Sequence, residues 1–164
     1  MSQLNPYDGF LDGRSMEDIL TSTPGALASV LATMTPEKQT IPPALGKWSP
    51  AQIVAHLADC EIAFGFRLRQ TLAEDGPVMQ PFDQDKWAVT YGGVSASQAL
   101  EAFIAMRKWN LRLIEAALPE AAGRKTTHPE RGTMTFQIVV ETMAGHDLNH
   151  LGQLRKIAGA PSAA

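Results

Sequence analysis

The chain has 164 residues, 45% of them apolar and 19% charged, with a formal net charge of −3, totals that suit one globular domain over 1–164. No basic run exceeds a pair such as Arg107–Lys108 or Arg155–Lys156, which excludes the clustered cations that nucleic-acid binding needs. The single cysteine, Cys60, excludes an internal disulfide and a cysteine-rich zinc module.

No strictly aliphatic run exceeds three residues, as at 138–140, against about 20 needed to cross a bilayer. The first ten residues carry neither a basic end nor an apolar core of a leader peptide. A cytoplasmic setting with no membrane partner is the expectation.

Four helical segments are expected. The first lies within 15–34, where Ser15 and the acidic Asp18 suit a helix start. Pro24 falls inside it, which predicts either one kinked helix or two short ones with Thr23 capping the second. The second has the clearest start: Ser49 as N-cap, Pro50 in the first turn and Gln52 completing a capping box, with Trp48 able to staple the turn. It should run to about Ala73. The connection over 74–94 is long for a compact fold, and "FDQDKWA" at 82–88 suits a short helix of its own. The third helix begins near Ser95, with Gln98 as capping partner, and ends at Leu118–Pro119. The fourth follows "HPERGT", capped by Thr133, and runs to Ile157 before Gly159. No segment alternates with period two, so no strand is expected. The fold class is all-α, a four-helix bundle with a long connection between helices two and three.

The histidines carry the chemistry. On the fourth helix Phe136, Val139, Met143 and Ile157 follow the spacing of a buried stripe, and His146 and His150 continue it. On the second, His56 lies on or beside the stripe of Ile53, Cys60, Phe64 and Leu68. Three imidazoles facing an apolar interior each have a donor and an acceptor to satisfy, at about 1–3 kcal/mol for each left unpaired. A divalent cation satisfies one nitrogen of each. Residues at i and i+4 are close enough to share an ion, and a third ligand from a facing helix is how bundle metal sites are built. "HDLNH" departs from the HExxH zinc motif by Asp147, and only 14 residues follow His150, so that reading is poor.

Other polar residues have plainer readings. Asp59, three residues from His56, is either a solvent-facing or salt-bridged carboxylate, the commoner case, or a partner that orients a ligand ring. Asp147 points to a helix interface or the surface. Arg107 falls in the apolar series Leu100, Phe103, Leu111, Ile114, where it anchors an anion, pairs with a buried acid or snorkels past the stripe. His128 suits the mouth of the site without being a ligand. Glu61, Arg67 and Arg69 read as surface ion pairing, and Cys60 as a small core residue.

"GKWSPAQIVAHLADCE" at 46–61, "FDQDKWA", "HPERG" at 128–132 and "HDLNHLGQLRKI" at 146–157 together resemble the DinB-like (DinB/YfiT) family of bacterial four-helix-bundle proteins, over nearly the whole chain. The resemblance implies a metal held by His56, His146 and His150, and parallel second and third helices joined by the 74–94 connection. It also implies a homodimer and an activity as a metal-dependent hydrolase or a transferase that uses a low-molecular-weight thiol. Three protein ligands leave a coordination position open for water or a substrate thiolate. Imidazole ligation suits Zn or Ni first, with Fe or Mn also compatible. A small-molecule substrate is expected, its identity unspecified. The rival expectation is a non-catalytic bundle whose ion stabilises the fold or a dimer.

Overall fold

A computed structural model describes residues 4–159. In chain order its elements are α1 (Asp8–Leu11), α2 (Met16–Ala32), α3 (Pro36–Thr40), α4 (Pro50–Ala73), α5 (Gln84–Ala88), a single 3-10 turn (Val89–Tyr91), α6 (Ala96–Ala121), β1 (Lys125–His128), β2 (Gly132–Thr135) and α7 (Phe136–Ala158). The four long helices are the expected bundle.

Their directions follow from which residues meet. Glu61 and Gly65 of α4 lie against Arg107 and Asn110 of α6, so α4 and α6 run the same way. The 74–95 connection must therefore travel the length of the bundle. Against α7 the order reverses: His56 meets His150 while Phe64 meets His146. The starts of α4 and α6 are as read from sequence. Ser49 Oγ accepts from the Gln52 amide (3.3 Å) while Gln52 Oε1 accepts from the Ser49 amide (2.9 Å), and Ser95 with Gln98 repeats the exchange. Arg124 ends α4 by donating to the Thr71 and Glu74 carbonyls at 2.9 and 3.0 Å.

Two prolines do not stop their helices. Pro24 sits within α2, one continuous helix, and Thr23 caps nothing: its hydroxyl donates back to Ile19 O at 2.8 Å. A helical proline leaves the carbonyl four residues earlier unpaired. Here that carbonyl is Leu20 O, and Arg107 Nη1 donates to it from α6 at 3.1 Å. Pro119 lies inside α6, which continues to Ala121; the carbonyl it orphans belongs to the exposed Glu115, where solvent has access to it.

The strands were not expected. Residues 125–128 and 132–135 pair as an antiparallel hairpin, Lys125 opposite Thr135 and His128 opposite Gly132. "HPERG" forms its turn, and Gly132, at φ 92°, supplies a conformation that side chains disfavour. Strands of four residues are too short to display alternation. Thr133 lies within β2, so the cap of α7 is Thr135, whose Oγ1 accepts from the Ile138 amide at 3.2 Å. Residues 77–79 join the hairpin edge, Thr127 donating to Pro77 O and Met79 donating to Thr127 O. This tie holds the long connection beside the bundle.

The core is divided. One apolar cluster includes Leu27, Leu31, Val54, Phe103 and Leu154, the other Leu20, Leu68, Ile114, Phe136 and Val140. Between them runs a buried polar layer. Arg107, 1% exposed, bonds Glu61 Oε1 (2.5 and 3.1 Å) and both carboxylate oxygens of Asp147 (2.6 and 3.1 Å). Asn110 donates to Glu61 Oε2 at 3.0 Å. Glu61 is thus buried rather than a surface partner of Arg67 and Arg69. With Leu20 O included, this one guanidinium touches all four long helices.

The chain before α2 crosses α7 at Gly145. A Cβ there would lie 2.5 Å from Tyr7 O and 2.7 Å from Tyr7 Cβ, so only glycine admits this crossing. Gly145→Ala is expected to displace residues 5–11 while leaving the bundle folded. Proteolysis should then cut within the first 15 residues faster than in the parent; unchanged protection would count against the crossing.

Candidate metal centre

Helix α7 places His146 and His150 one turn apart, and α4 presents His56 from across the bundle. Their Nε2 atoms converge: His146 Nε2 is 3.1 Å from that of His56 and 3.1 Å from that of His150. All three residues are buried. Metal–nitrogen bonds of about 2.0–2.1 Å set tetrahedral ligand nitrogens roughly 3.3–3.4 Å apart. Small adjustments therefore suffice for one ion.

The hydrogen bonding fits the same use. Gln153 Oε1 lies 3.1 Å from His150 Nδ1; an amide oxygen accepts, so Nδ1 carries the proton and Nε2 turns a lone pair to the centre. His146 Nδ1 is buried with no partner among the described residues. His56 is flanked by Cys60 Sγ, 3.5 Å from its Nε2. Trp48 packs on the rings of His56 and His150, and Tyr7 sets its ring edge to that of His146. Three imidazoles in apolar walls, short of donors, make a cluster that can hold a divalent ion.

Burial also fixes their charge. Desolvation, with His150 nearby, pulls His56 down to about 3. Desolvation lowers His146 well below the ordinary range, reinforced by His150 and His56, and lowers His150, where Gln153 and Asp147 oppose it. Neutral imidazole is the ligand form. An unfolded chain takes up protons that the folded one refuses, so stability present above the ordinary 6.5 is lost as pH falls. His56 alone should cost the metal-free protein roughly 2 kcal/mol between pH 6.5 and 5. Urea unfolding across that window checks the slope, which His56→Gln should flatten; a pH-independent parent midpoint would contradict it.

Residues 19–154 match the family model of the DinB superfamily. The chain belongs to the DinB superfamily. Similar relatives are a "Putative metal-dependent hydrolase" of Oceanobacillus iheyensis, 27% identical over 113 residues (68% of this chain and 66% of that one), and another of Geobacillus kaustophilus, 27% identical over 138 residues (82% and 77%). The fold resembles that of YfiT from Bacillus subtilis, described as a "probable metal-dependent hydrolase with an unusual four-helix bundle topology". The TM-score is 0.77 at 21% identity, over 89% of this chain and 87% of that one.

Around the histidines of this DinB-superfamily bundle, a cavity of about 180 Å³ is bounded in part by His56, Cys60 and His146 and extends to the hairpin and the 79–84 segment. His128 lines it, with its Nδ1 accepting from the Glu130 amide at 3.2 Å. A wider cleft of about 680 Å³ opens beside His150 and Trp48. Tyr7 and Gln84 border both.

Asp59 does not orient a histidine: its Oδ2 accepts from the Tyr91 hydroxyl at 2.7 Å. Asp147 and Arg107 serve the polar layer, and Cys60 is buried as expected. Sequence reading missed Tyr7, which joins the site only through the Gly145 crossing. It also missed Gln153, whose i+3 spacing from His150 was a usable signal, and Arg67, which borders the cavity.

Proposed function

We propose that this protein is a metal-dependent enzyme acting on a small molecule, with His56, His146 and His150 as ligands of one divalent ion, Zn or Ni before Fe or Mn. The observation that carries this reading is the convergence of three buried Nε2 atoms at the wall of a cavity. Bound by these three histidines, such an ion would supply a Lewis acid able to polarise a carbonyl or acidify water. Gln153 fixes the tautomer of His150. Trp48 and Tyr7 shield the rings from bulk water. Burial first, and Cys60 nearby, outweigh the opposing influence of Arg131 and raise the Tyr7 phenol above its usual range, leaving it a protonated donor at the cavity wall. Hydrolysis and transfer to a low-molecular-weight thiol are both compatible with these parts. A homodimer and a cytoplasmic setting come to this reading from the family resemblance and the chain's composition.

Cobalt substitution separates enzyme from structural metal site. Acetohydroxamate or a small thiol added to Co²⁺-loaded protein should shift the visible bands, and an activated ester or thiol acceptor should then turn over. A spectrum deaf to millimolar ligand would mean a closed site, favouring an ion that only stabilises the fold.

A further inference from the structure

The cavity beside the histidines has a cationic end. Arg67 of α4, Arg131 of the hairpin turn and His128 of β1 all line it, with Glu130 the acidic residue on the same wall. Arg67 is half-buried and its guanidinium is held in place. One Nη2 donates to Gln80 O at 3.0 Å, and the group lies 5.9 Å from the Phe64 ring centre and 5.6 Å from that of Phe82. These contacts orient the head group without neutralising it. Among the described residues no carboxylate pairs with Arg67, and its Nε and Nη1 donors have no partner, although guanidinium offers five donors.

Its surroundings are poor for a cation. Burial lowers the Arg67 pKa, Cys60 opposing and Arg131 reinforcing. His128 presents Nε2–H, because its Nδ1 accepts from Glu130 N. The rest of the lining is largely apolar: Phe64, Met79, Phe82, Met134 and Val139.

We infer that the cavity binds the oxyanion of the substrate, a carboxylate or phosphate, on Arg67 with Arg131 beside it, and so aims the reactive end of the molecule at the histidine cluster. The inference rests on the proposed function for its orientation, but the anion site itself needs no metal. An oriented guanidinium fork matches a carboxylate or phosphate in two parallel hydrogen bonds. The aromatic and methionine walls suit a short apolar body attached to that anion. Substrates of this site are therefore small organic acids or phosphate esters rather than neutral molecules.

The test titrates inorganic phosphate, butyrate and neutral butanamide, each by calorimetry, into metal-stripped and Zn²⁺-loaded protein. Parent protein, Arg67→Gln and Arg67→Lys are compared, with circular dichroism as the folding check. An oxyanion should bind both forms of the parent, at least tenfold more tightly than butanamide. Arg67→Gln should lose tenfold or more with metal content unchanged, and Arg67→Lys should lose less. Preference for butyrate identifies an organic acid, preference for phosphate a phosphate ester. Butanamide binding as well as butyrate, or oxyanion binding that Arg67→Gln leaves intact, overturns the inference. So does binding only to the Zn²⁺ form irrespective of Arg67, which places the anion on the metal and leaves the metal reading standing. A parent that takes up no metal yet binds oxyanion through Arg67 overturns the metal reading alone. Should Arg67→Gln misfold, the Arg67 Nε–H resonance of the parent decides: a phosphate- or butyrate-dependent shift supports the site, and none overturns it.

Discussion

His146→Ala is expected to leave protein that holds essentially no metal, where the parent, purified without a nickel column, carries close to one equivalent per chain. Of the three proposed ligands, His146 is the one whose Nε2 lies 3.1 Å from both others, so its loss removes the member that joins α4 to the rest of α7. Structural zinc sites bind with about 10–16 kcal/mol. Sharing that among a few ligands gives roughly 3 kcal/mol or more for one of them, a hundredfold or greater loss of affinity. His56→Ala should match it from the opposite helix. Gln153→Ala removes only the partner that orients His150 and should cost about tenfold to a hundredfold, and His128→Ala should leave the content unchanged. Elemental analysis and a competing chelator measure all four. Parent-like metal in His146→Ala would sink the three-histidine centre.

Arg107→Met is expected to be the most destabilising single change away from the histidines. Arg107, Glu61 and Asp147 are each no more than 2% exposed. Burial works against the arginine's charge, yet Asp147 and Glu61 more than offset it and its pKa is raised. Glu61 is raised too, because desolvation outweighs the stabilising influence of Arg107. Removing the cation strands two carboxylates, one of them between helices with only Asn110 left to it, and returns Leu20 O to the unpaired state that Pro24 imposes. Breaking a buried pair from one side costs about 3–5 kcal/mol. For a chain of this length that is a fall in Tm of roughly 6–20 °C. Thermal unfolding by circular dichroism checks it. The combined Glu61→Leu, Arg107→Met, Asp147→Leu protein should recover much of the loss, since apolar replacements of a buried ionic group are often neutral or better. A parent-like Tm in Arg107→Met alone would refute the role given to this layer.

The legible parts of the chain were those where neighbouring residues decide. Ser49-Pro50-Ala51-Gln52 contains every atom of its capping box, so the start of α4 could be read to the residue. The same holds for Ser95 with Gln98, and nearly so for the short helix after Asp83. His146 and His150 were legible as a pair because helical spacing is local, and His56 because its stripe is. The partner of Asp59 was not legible because i+3 spacing fixes a face but not which neighbour arrives there, and Tyr91 arrives. The hairpin escaped because four-residue strands carry no period.

Sequence alone specifies the four long helices, their buried stripes and the ring types that those stripes turn inward, for which local hydrogen bonding and periodicity suffice; the short α1 and α3 went unread. Only packing shows that Pro24 stays inside one helix, since the carbonyl it orphans, Leu20 O, is answered by Arg107, 87 residues farther on. It alone moved Glu61 from an apparent surface pair into the core, brought Tyr7 over Gly145 and set Arg67 against the cavity. Each of these depends on partners remote in sequence that meet only when α4, α6 and α7 pack. Burial then gives those meetings their energy, because an unpaired charge or polar group costs most where water cannot reach it.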